Sequence, residues 1–299
     1  MEFFKNANYD FIGFRRKAFL ISALFILAGV ISLVVKGGPA LSIDFKGGIL
    51  INLRFEKPVA VDTVRSALGS TGLGGKAELQ TALGGTELII RAPAEEGKDI
   101  TGEIKQVIRG ALPDNPFQVL REELVGPRVG KELATKAIWA TVIALGAMLI
   151  YIAWRFEFRF AVAAIIALFH NTIAVVGLFS LTNKEISLAV IAAILTLIGY
   201  SINDTIVVFD RIREDLRKYH REAFEVIINR SINETLSRTV VTGTTVVFVL
   251  IFLWVMGGQV LRDFTFGMLF GILIGTYSSI FVASPILVEW QMRSPMRRR

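Results

Sequence analysis

Six long apolar stretches constrain this chain more than any other feature of it. They run over residues 18–35, 135–154, 160–181, 186–209, 239–256 and 264–290. A helix needs about 20 apolar residues to cross a bilayer, and each stretch approaches or reaches that length. Composition agrees: 53% of the residues are hydrophobic, 20% are charged and the mean hydropathy is +0.56. A soluble domain carries about 25% charged residues. The first stretch follows Arg15-Arg16-Lys17, as the core of a secretory signal would. Its apolar run is longer than such a core, and no small-residue cleavage site follows, so an uncleaved first span is expected.

The placement of basic residues orients the spans. With the N-terminus in the cytoplasm, 17 basic residues fall inside: Lys5, Arg15, Arg16, Lys17, Arg155, Arg159, seven in the connection 210–238, and Arg293, Arg297, Arg298 and Arg299. The two short outer loops then hold only Lys184 and Arg262. The opposite topology reverses the bias, so both termini are expected in the cytoplasm. Trp154 and Trp290 then sit at inner span ends and Trp254 at an outer one, as interfacial tryptophans do. The expected layout is a cytoplasmic N-terminus (1–17), span one (18–35), an outside segment (36–132), spans two to six (133–291) with a cytoplasmic loop at 210–237, and a basic cytoplasmic tail (292–299). The net charge of +7 is therefore that of a chain facing a lipid bilayer, and no nucleic-acid partner is expected.

The outside segment patterns as a small folded domain. Residues 49–55 alternate as a strand, residues 61–68 follow Pro58 with helical spacing, and residues 76–83 and 86–91 form a strand pair around Gly84-Gly85. Residues 99–112 repeat Ile100, Ile104, Val107 and Ile108 as a helix does, and residues 117–124 read as a last strand. The order β-α-β-β-α-β predicts a ferredoxin-like α+β domain, which by itself specifies no function.

Several chemistries are excluded or weakly supported. There is no cysteine, and His170 and His220 are the only imidazoles, with no pairing between them, so no metal site and no cofactor are expected. The run Gly69-Ser70-Thr71-Gly72-Leu73-Gly74-Gly75-Lys76 resembles a nucleotide loop only superficially. Its first glycine is misplaced, and Ala77 stands where a metal-binding hydroxyl is needed. No nucleophile–base pair supports an intramembrane hydrolase, so no enzymatic activity is expected.

Polar groups inside the apolar stretches carry more information. The fourth contains Ser201, Asn203, Asp204 and Thr205. At 1.5 Å per residue Asp204 lies about 9 Å inward from its end. A carboxylate there costs a few kcal/mol unless it is paired, hydrated or protonated. Desolvation favours its neutral form and a nearby cation its charged form, so small rearrangements switch its proton. Arg238 opens the fifth stretch, followed by Thr242 and Thr245, and antiparallel neighbours would bring it to the depth of Asp204. Blander readings stand beside these: Asp204 as an interfacial residue, Arg238 as an anchor that snorkels to the headgroups, and His170-Asn171 in the third stretch as hydrogen-bonded packing. Gly267, Gly271 and Gly275 give the sixth stretch a smooth face, for packing within the chain or against a partner subunit.

Longer motifs add a resemblance. The run from Gly199 to Glu214 and the run from Asn229 to Thr239 are similar to signatures of the SecF family of the SecDF protein-export machinery. Ser42-Ile43-Asp44-Phe45-Lys46-Gly47-Gly48 and Val125-Gly126-Pro127-Arg128-Val129-Gly130 resemble the flanks of that family's external domain. The family belongs to the resistance-nodulation-division superfamily, so the resemblance implies half of a twelve-span bundle completed by SecD. It also implies work with the SecYEG translocon on a translocating preprotein, powered by the proton motive force. Proton-coupling roles for Asp204 and Arg238 are implied too. Asn171 stands where many relatives carry aspartate, which leaves a second carboxylate role in the third span without its residue. Two alternatives remain open: half of an RND-type small-molecule or lipid exporter, and a scaffold that transports nothing.

Reporter fusions test the topology. Fusions after Val35 and near Gly258 are expected to report outside, and fusions near Glu157, Arg221 and the C-terminus inside. A cytoplasmic signal from residues 36–132 overturns the six-span layout.

Overall fold

A computed structural model describes residues 7–73, 75–94 and 98–294. Lys5, the tail arginines 297–299 and Gly74 of the glycine-rich turn lie outside the described residues. The chain forms two compact units, one of residues Leu41–Trp139 and the other of the residues before and after it.

The first unit opens with a single helical turn, α2 (Ile43–Lys46), whose Ser42 side chain accepts from the Asp44 N–H. It continues through β1 (Gly48–Phe55), α3 (Val61–Gly69), β2 (Glu78–Ala82), β3 (Glu87–Ala92), α4 (Ile100–Ala111) and β4 (Phe117–Val125). All pairings are antiparallel and the sheet order is β2-β3-β1-β4, the ferredoxin-like arrangement that the strand and helix order predicted. The alternation of β1 sends Ile49, Ile51, Leu53 and Phe55 to one face, where they pack with Val64 and Leu68 of α3 and Ile100, Ile104 and Ile108 of α4. The β2–β3 turn works because Gly84 and Gly85 accept positive φ, 66° and 91°.

Where the chain enters and leaves this unit, two backbones nearly touch. Gly47 has φ 72°, and a Cβ there would stand 2.9 Å from the Cα of Pro127, the first residue of α5 (Pro127–Arg155). A Cβ on Gly130 would stand 2.8 Å from the Gly47 nitrogen. Only glycine fits a crossing this close.

The second unit holds α1 (Arg15–Val35), most of α5, α6 (Phe158–Leu181), α7 (Leu188–Lys218), α8 (Phe224–Met256), α9 (Gly258–Ser278) and α10 (Ser284–Arg293). Among the described residues, six helical segments are long and apolar enough to cross a membrane, with α9 and α10 sharing the sixth. The residues expected to form a loop at 210–237 are mostly helix. α7 runs on to Lys218, α8 starts at Phe224, and only residues 219–223 turn. Charged side chains let both helices continue beyond the apolar stretches. The sixth span contains a π-turn at Ser279–Ala283 just before Pro285. Proline lacks the N–H that would continue the ladder, and the Ser284 hydroxyl donates to the Ser279 carbonyl at 2.8 Å.

Small residues set the helix crossings. Gly29 of α1 meets Gly177 of α6 so closely that a Cβ on either would lie 2.8 or 2.9 Å from the other's Cα. Ser32 and Ser180 share a hydrogen bond at 2.7 Å beside that crossing. The sixth-span glycines pack within the chain: Gly267 against Phe179 and Ala193, Gly271 against Leu197, and Gly275 against Ser201.

Ahead of α1, the chain is strapped to α8. The Tyr9 N–H donates to Asn233 Oδ1 at 2.8 Å, the Tyr9 carbonyl accepts from Asn229 and Asn233 at 2.9 Å, and the Ile12 N–H donates to Asn229 Oδ1 at 3.2 Å. Arg15 then bridges Glu225 of α8 and Glu289 of α10 at 3.2 and 3.0 Å.

Two outcomes follow. Residues 40–130 expressed alone are expected to give dispersed amide resonances and a cooperative melt, since their core is self-contained; a random-coil spectrum refutes this. Gly177→Ala in the full chain is expected to cost about 1–3 kcal/mol, because backbone rather than a side-chain tip must move. Gly199→Ala, with nothing within 4 Å of its Cβ position, is the control. Thermal melts in detergent compare the two.

Candidate functional site

The site is built on α7. Ser187 caps the helix by accepting from the Val190 N–H at 3.2 Å. A period of three and four residues then buries Val190, Ala193, Ile194, Leu197, Ile198, Ser201, Ile202, Asp204, Thr205, Val208 and Phe209. Asp204 falls on that stripe. It is 3% exposed, and its Oδ2 is buried with no hydrogen-bond partner. Leaving a polar carboxyl oxygen unbonded in an apolar bundle is costly, which marks the position for function rather than packing.

Around it lies a short polar chain. His170 Nδ1 meets Asn171 Oδ1 at 3.0 Å, and Asn171 Nδ2 donates to Ser201 Oγ at 2.7 Å. The Thr205 hydroxyl donates to the Ser201 carbonyl at 3.1 Å. The His170 ring also stacks at 6.3 Å on Tyr277, whose hydroxyl bonds the Ala18 carbonyl and Ser22. His170 and Asn171 are thus hydrogen-bonded parts of the packing, and through Ser201 they reach the helix face that carries Asp204.

The sequence expectations separate here. Ser201, Asp204 and Thr205 share the buried face of α7, whereas Asn203 is exposed on the opposite one. Arg238 lies near enough for its charge to act on Asp204, but no ion pair within 4.0 Å joins them. The guanidinium side chain is exposed on the flank of α8 and bonds to no other described residue. Direct docking of the two charges is therefore absent from this arrangement. Thr242 and Thr245 of α8 donate to carbonyls of their own helix, those of Arg238 and Thr242, at 2.9 and 2.8 Å. Thr245 is exposed.

Sequence reasoning passed over Tyr200. Its hydroxyl is buried beside Thr242 and Asp204 without a hydrogen bond of ordinary geometry. The signal was available, because Tyr200 precedes Asp204 by one helical turn. Thr239, 2% exposed, lies one turn before Thr242 on α8. Among the described residues, no group of three or more histidines, aspartates and glutamates is placed to hold a metal ion.

Comparison with known proteins agrees with this architecture. Residues 105–293 match the family model of the protein export membrane protein SecD/SecF, C-terminal, and residues 31–59 match the SecD/SecF GG motif. The second stretch includes Gly47-Gly48 at the crossing described above. The protein translocase subunit SecF of Rhodothermus marinus is 42% identical over 306 residues, covering 100% of this chain and 98% of the relative. That of Desulfurispirillum indicum is 44% identical over 290 residues, covering 95% and 92%. A crystal structure of SecDF, a translocon-associated membrane protein from Thermus thermophilus, matches 96% of this chain with a TM-score of 0.85 at 38% identity. The chain spans 39% of that SecDF chain. A second SecDF crystal structure, in a super-membrane-facing form, matches with a TM-score of 0.68. With two family models, full-length relatives and the fold in agreement, the chain belongs to the SecD/SecF family of protein-export membrane proteins.

Proposed function

We propose that the chain is the SecF-type half of a SecDF assembly that uses the proton motive force to assist Sec-dependent translocation of preproteins across the cytoplasmic membrane. The observation that carries this reading is Asp204, buried inside a membrane helix with an unbonded carboxyl oxygen. Proton entry is worth about 2.3 kcal/mol per charge per 100 mV of membrane potential. That is enough to shift helices whose two arrangements differ by a few kcal/mol. In the proposed cycle Asp204 alternates between a protonated state apart from Arg238 and a charged state docked on it. Arginine does not release its proton and serves as the fixed charge. Repacking of α7 and α8 is then relayed to the α+β unit, which lies outside the membrane with both termini inside.

A SecD-type partner is supported by what this chain leaves bare. Arg238, Asn203 and Thr245 are exposed on apolar helices, and polar side chains at membrane depth are expected to face protein or water, not lipid. Two solved SecDF structures, one of them in a super-membrane-facing form, support a working change of shape. SecYEG and the preprotein complete the proposed machinery.

The test is preprotein translocation into proteoliposomes holding SecYEG, SecD and this chain, with and without an imposed proton gradient. Asp204→Asn keeps size and hydrogen-bonding capacity but cannot titrate. It is expected to co-purify with SecD and to lose all gradient stimulation. Arg238→Ala is expected to lose it too, with Arg238→Lys restoring part. A sodium gradient in a parallel arm identifies the ion. Wild-type stimulation from Asp204→Asn overturns the relay and favours the scaffold.

A further inference from the structure

Two arginines on the extended part of α7 have hydrogen-bonding capacity to spare. Arg213 and Arg217 stand four residues apart, on one helix face. Arg213 comes no nearer than 3.8 Å to Asp210 and 3.9 Å to Glu157, beyond hydrogen-bond range. Arg217 has no hydrogen bond or ion pair with another described residue. Both line a cleft of about 570 Å³ together with Arg155, Asp210, Glu214 and Lys218, a size typical of small-ligand sites. The carboxylates on its wall are engaged already. Asp210 accepts from Arg155 at 2.6 Å and Glu214 from Arg211 at 2.9 Å. The Lys218 ammonium lies 5.1 Å over the Tyr219 ring. Four lining cations against two lining carboxylates and the nearby Glu157 leave the cleft positive, with neither Arg213 nor Arg217 spent on a hydrogen bond.

The surroundings fix its depth. Arg155 is the last residue of the apolar helix α5. Its neighbour Trp154 is 84% exposed, and Phe158, at the start of α6, is 73% exposed. Aromatic side chains this bare belong at the boundary between hydrocarbon and water. Phe158 packs edge-on against Trp290 at 6.0 Å, and Arg159 lies over the same indole. Trp154, Phe158 and Trp290 thus form an aromatic cluster at the end of the bundle that carries the cleft. With only 6% of its apolar window buried, α5 leaves its flank open to acyl chains.

We propose that this cleft holds the phosphodiester of an anionic phospholipid, with Arg213 and Arg217 donating to its oxygens. Guanidinium forks match phosphate geometry, and basic pockets between membrane helices suit such headgroups. The apolar flank of α5 favours a lipid over free phosphate, which has no chain to lay there. Neither arginine belongs to the Asp204 site, so the lipid site stands or falls apart from the coupling reading.

Native mass spectrometry of the full chain, delipidated in mild detergent and titrated with phosphatidylglycerol or phosphatidylcholine, tests it. The wild type is expected to prefer phosphatidylglycerol by roughly tenfold or more, the scale for two arginines acting on one anionic headgroup. Arg213→Gln/Arg217→Gln is expected to bring that preference near parity. Arg16→Gln/Lys17→Gln, which removes the same charge from the same end of the bundle, is expected to keep it. If the α7 double variant does not fold, Arg217→Gln alone, which breaks no contact, is expected to lose part of the preference. Retention of the preference in the α7 variants overturns the site. Equal loss in both double variants overturns it as well, in favour of diffuse charge attraction. Displacement of bound lipid by millimolar inorganic phosphate overturns the lipid as the ligand.

Discussion

Hydrocarbon offers a peptide group no hydrogen bond. Each span of this chain is therefore a helix that satisfies its own backbone, and the irregular points show how firmly that condition holds. At Pro285 the ladder loses a donor, the helix widens into a π-turn, and the Ser284 hydroxyl takes up the Ser279 carbonyl. At the end of α6 the Lys36 ammonium binds the Ser180 carbonyl and the Asn183 side chain. Thr172, Thr182, Thr196 and Thr265 each turn a hydroxyl back onto a carbonyl one turn earlier. Against that background the unbonded oxygens of Asp204 and Tyr200, one turn apart on α7, stand out.

Apolar side chains gain little by leaving lipid for another helix, so close approach has to come from shape. Gly29 against Gly177 brings two backbones into contact, and Gly267, Gly271 and Gly275 let α9 lie on α6 and α7. These crossings fix the face of α7 that carries Ser201 and Asp204. Against the other spans α5 has no such seam. It is held at one end by Ile152 and Phe156 and by the Arg155–Asp210 pair, and at the other by the Gly130 crossing on Gly47, with the length between them largely bare. One bundle thus combines a tightly keyed interior with a loosely anchored outer helix.

Much of this was legible in the sequence. The six apolar stretches became spanning helices, and the β-α-β-β-α-β order became a ferredoxin-like sheet. Both are periodicity signals that long or regular segments carry strongly. The helical continuation through residues 210–218 and 224–238 was not legible from hydropathy, because those residues leave the apolar environment without leaving the helix. The π-turn was foreshadowed only by Pro285. At the candidate site, the helical spacing of Ser201, Asp204 and Thr205 was enough to place them on one face, and the same spacing turned Asn203 away. The distance between Asp204 and Arg238 was not legible. Helix rotation sets it, and α8 presents Arg238 on its flank through contacts that no local pattern encodes. Tyr200 was overlooked as an aromatic among apolar residues, although its one-turn offset from Asp204 gave its place.

The asparagine strap on Tyr9 also bears on the order in which the protein is made. Its partners lie 224 residues downstream. At ribosomal rates of about 5–20 residues per second, that separates them by roughly ten to forty-five seconds. Through that interval the first span is already emerging and inserting while the amides of Tyr9 and Ile12 have only water to bond. The segment can wait because it lies ahead of α1, outside the apolar stretch. When Asn229 and Asn233 finally arrive, they register the fifth span against the first, so residues synthesised ahead of the first span are fastened only after the fifth has begun. Assembly of the bundle thus closes as a ring, with the strap as its late joint.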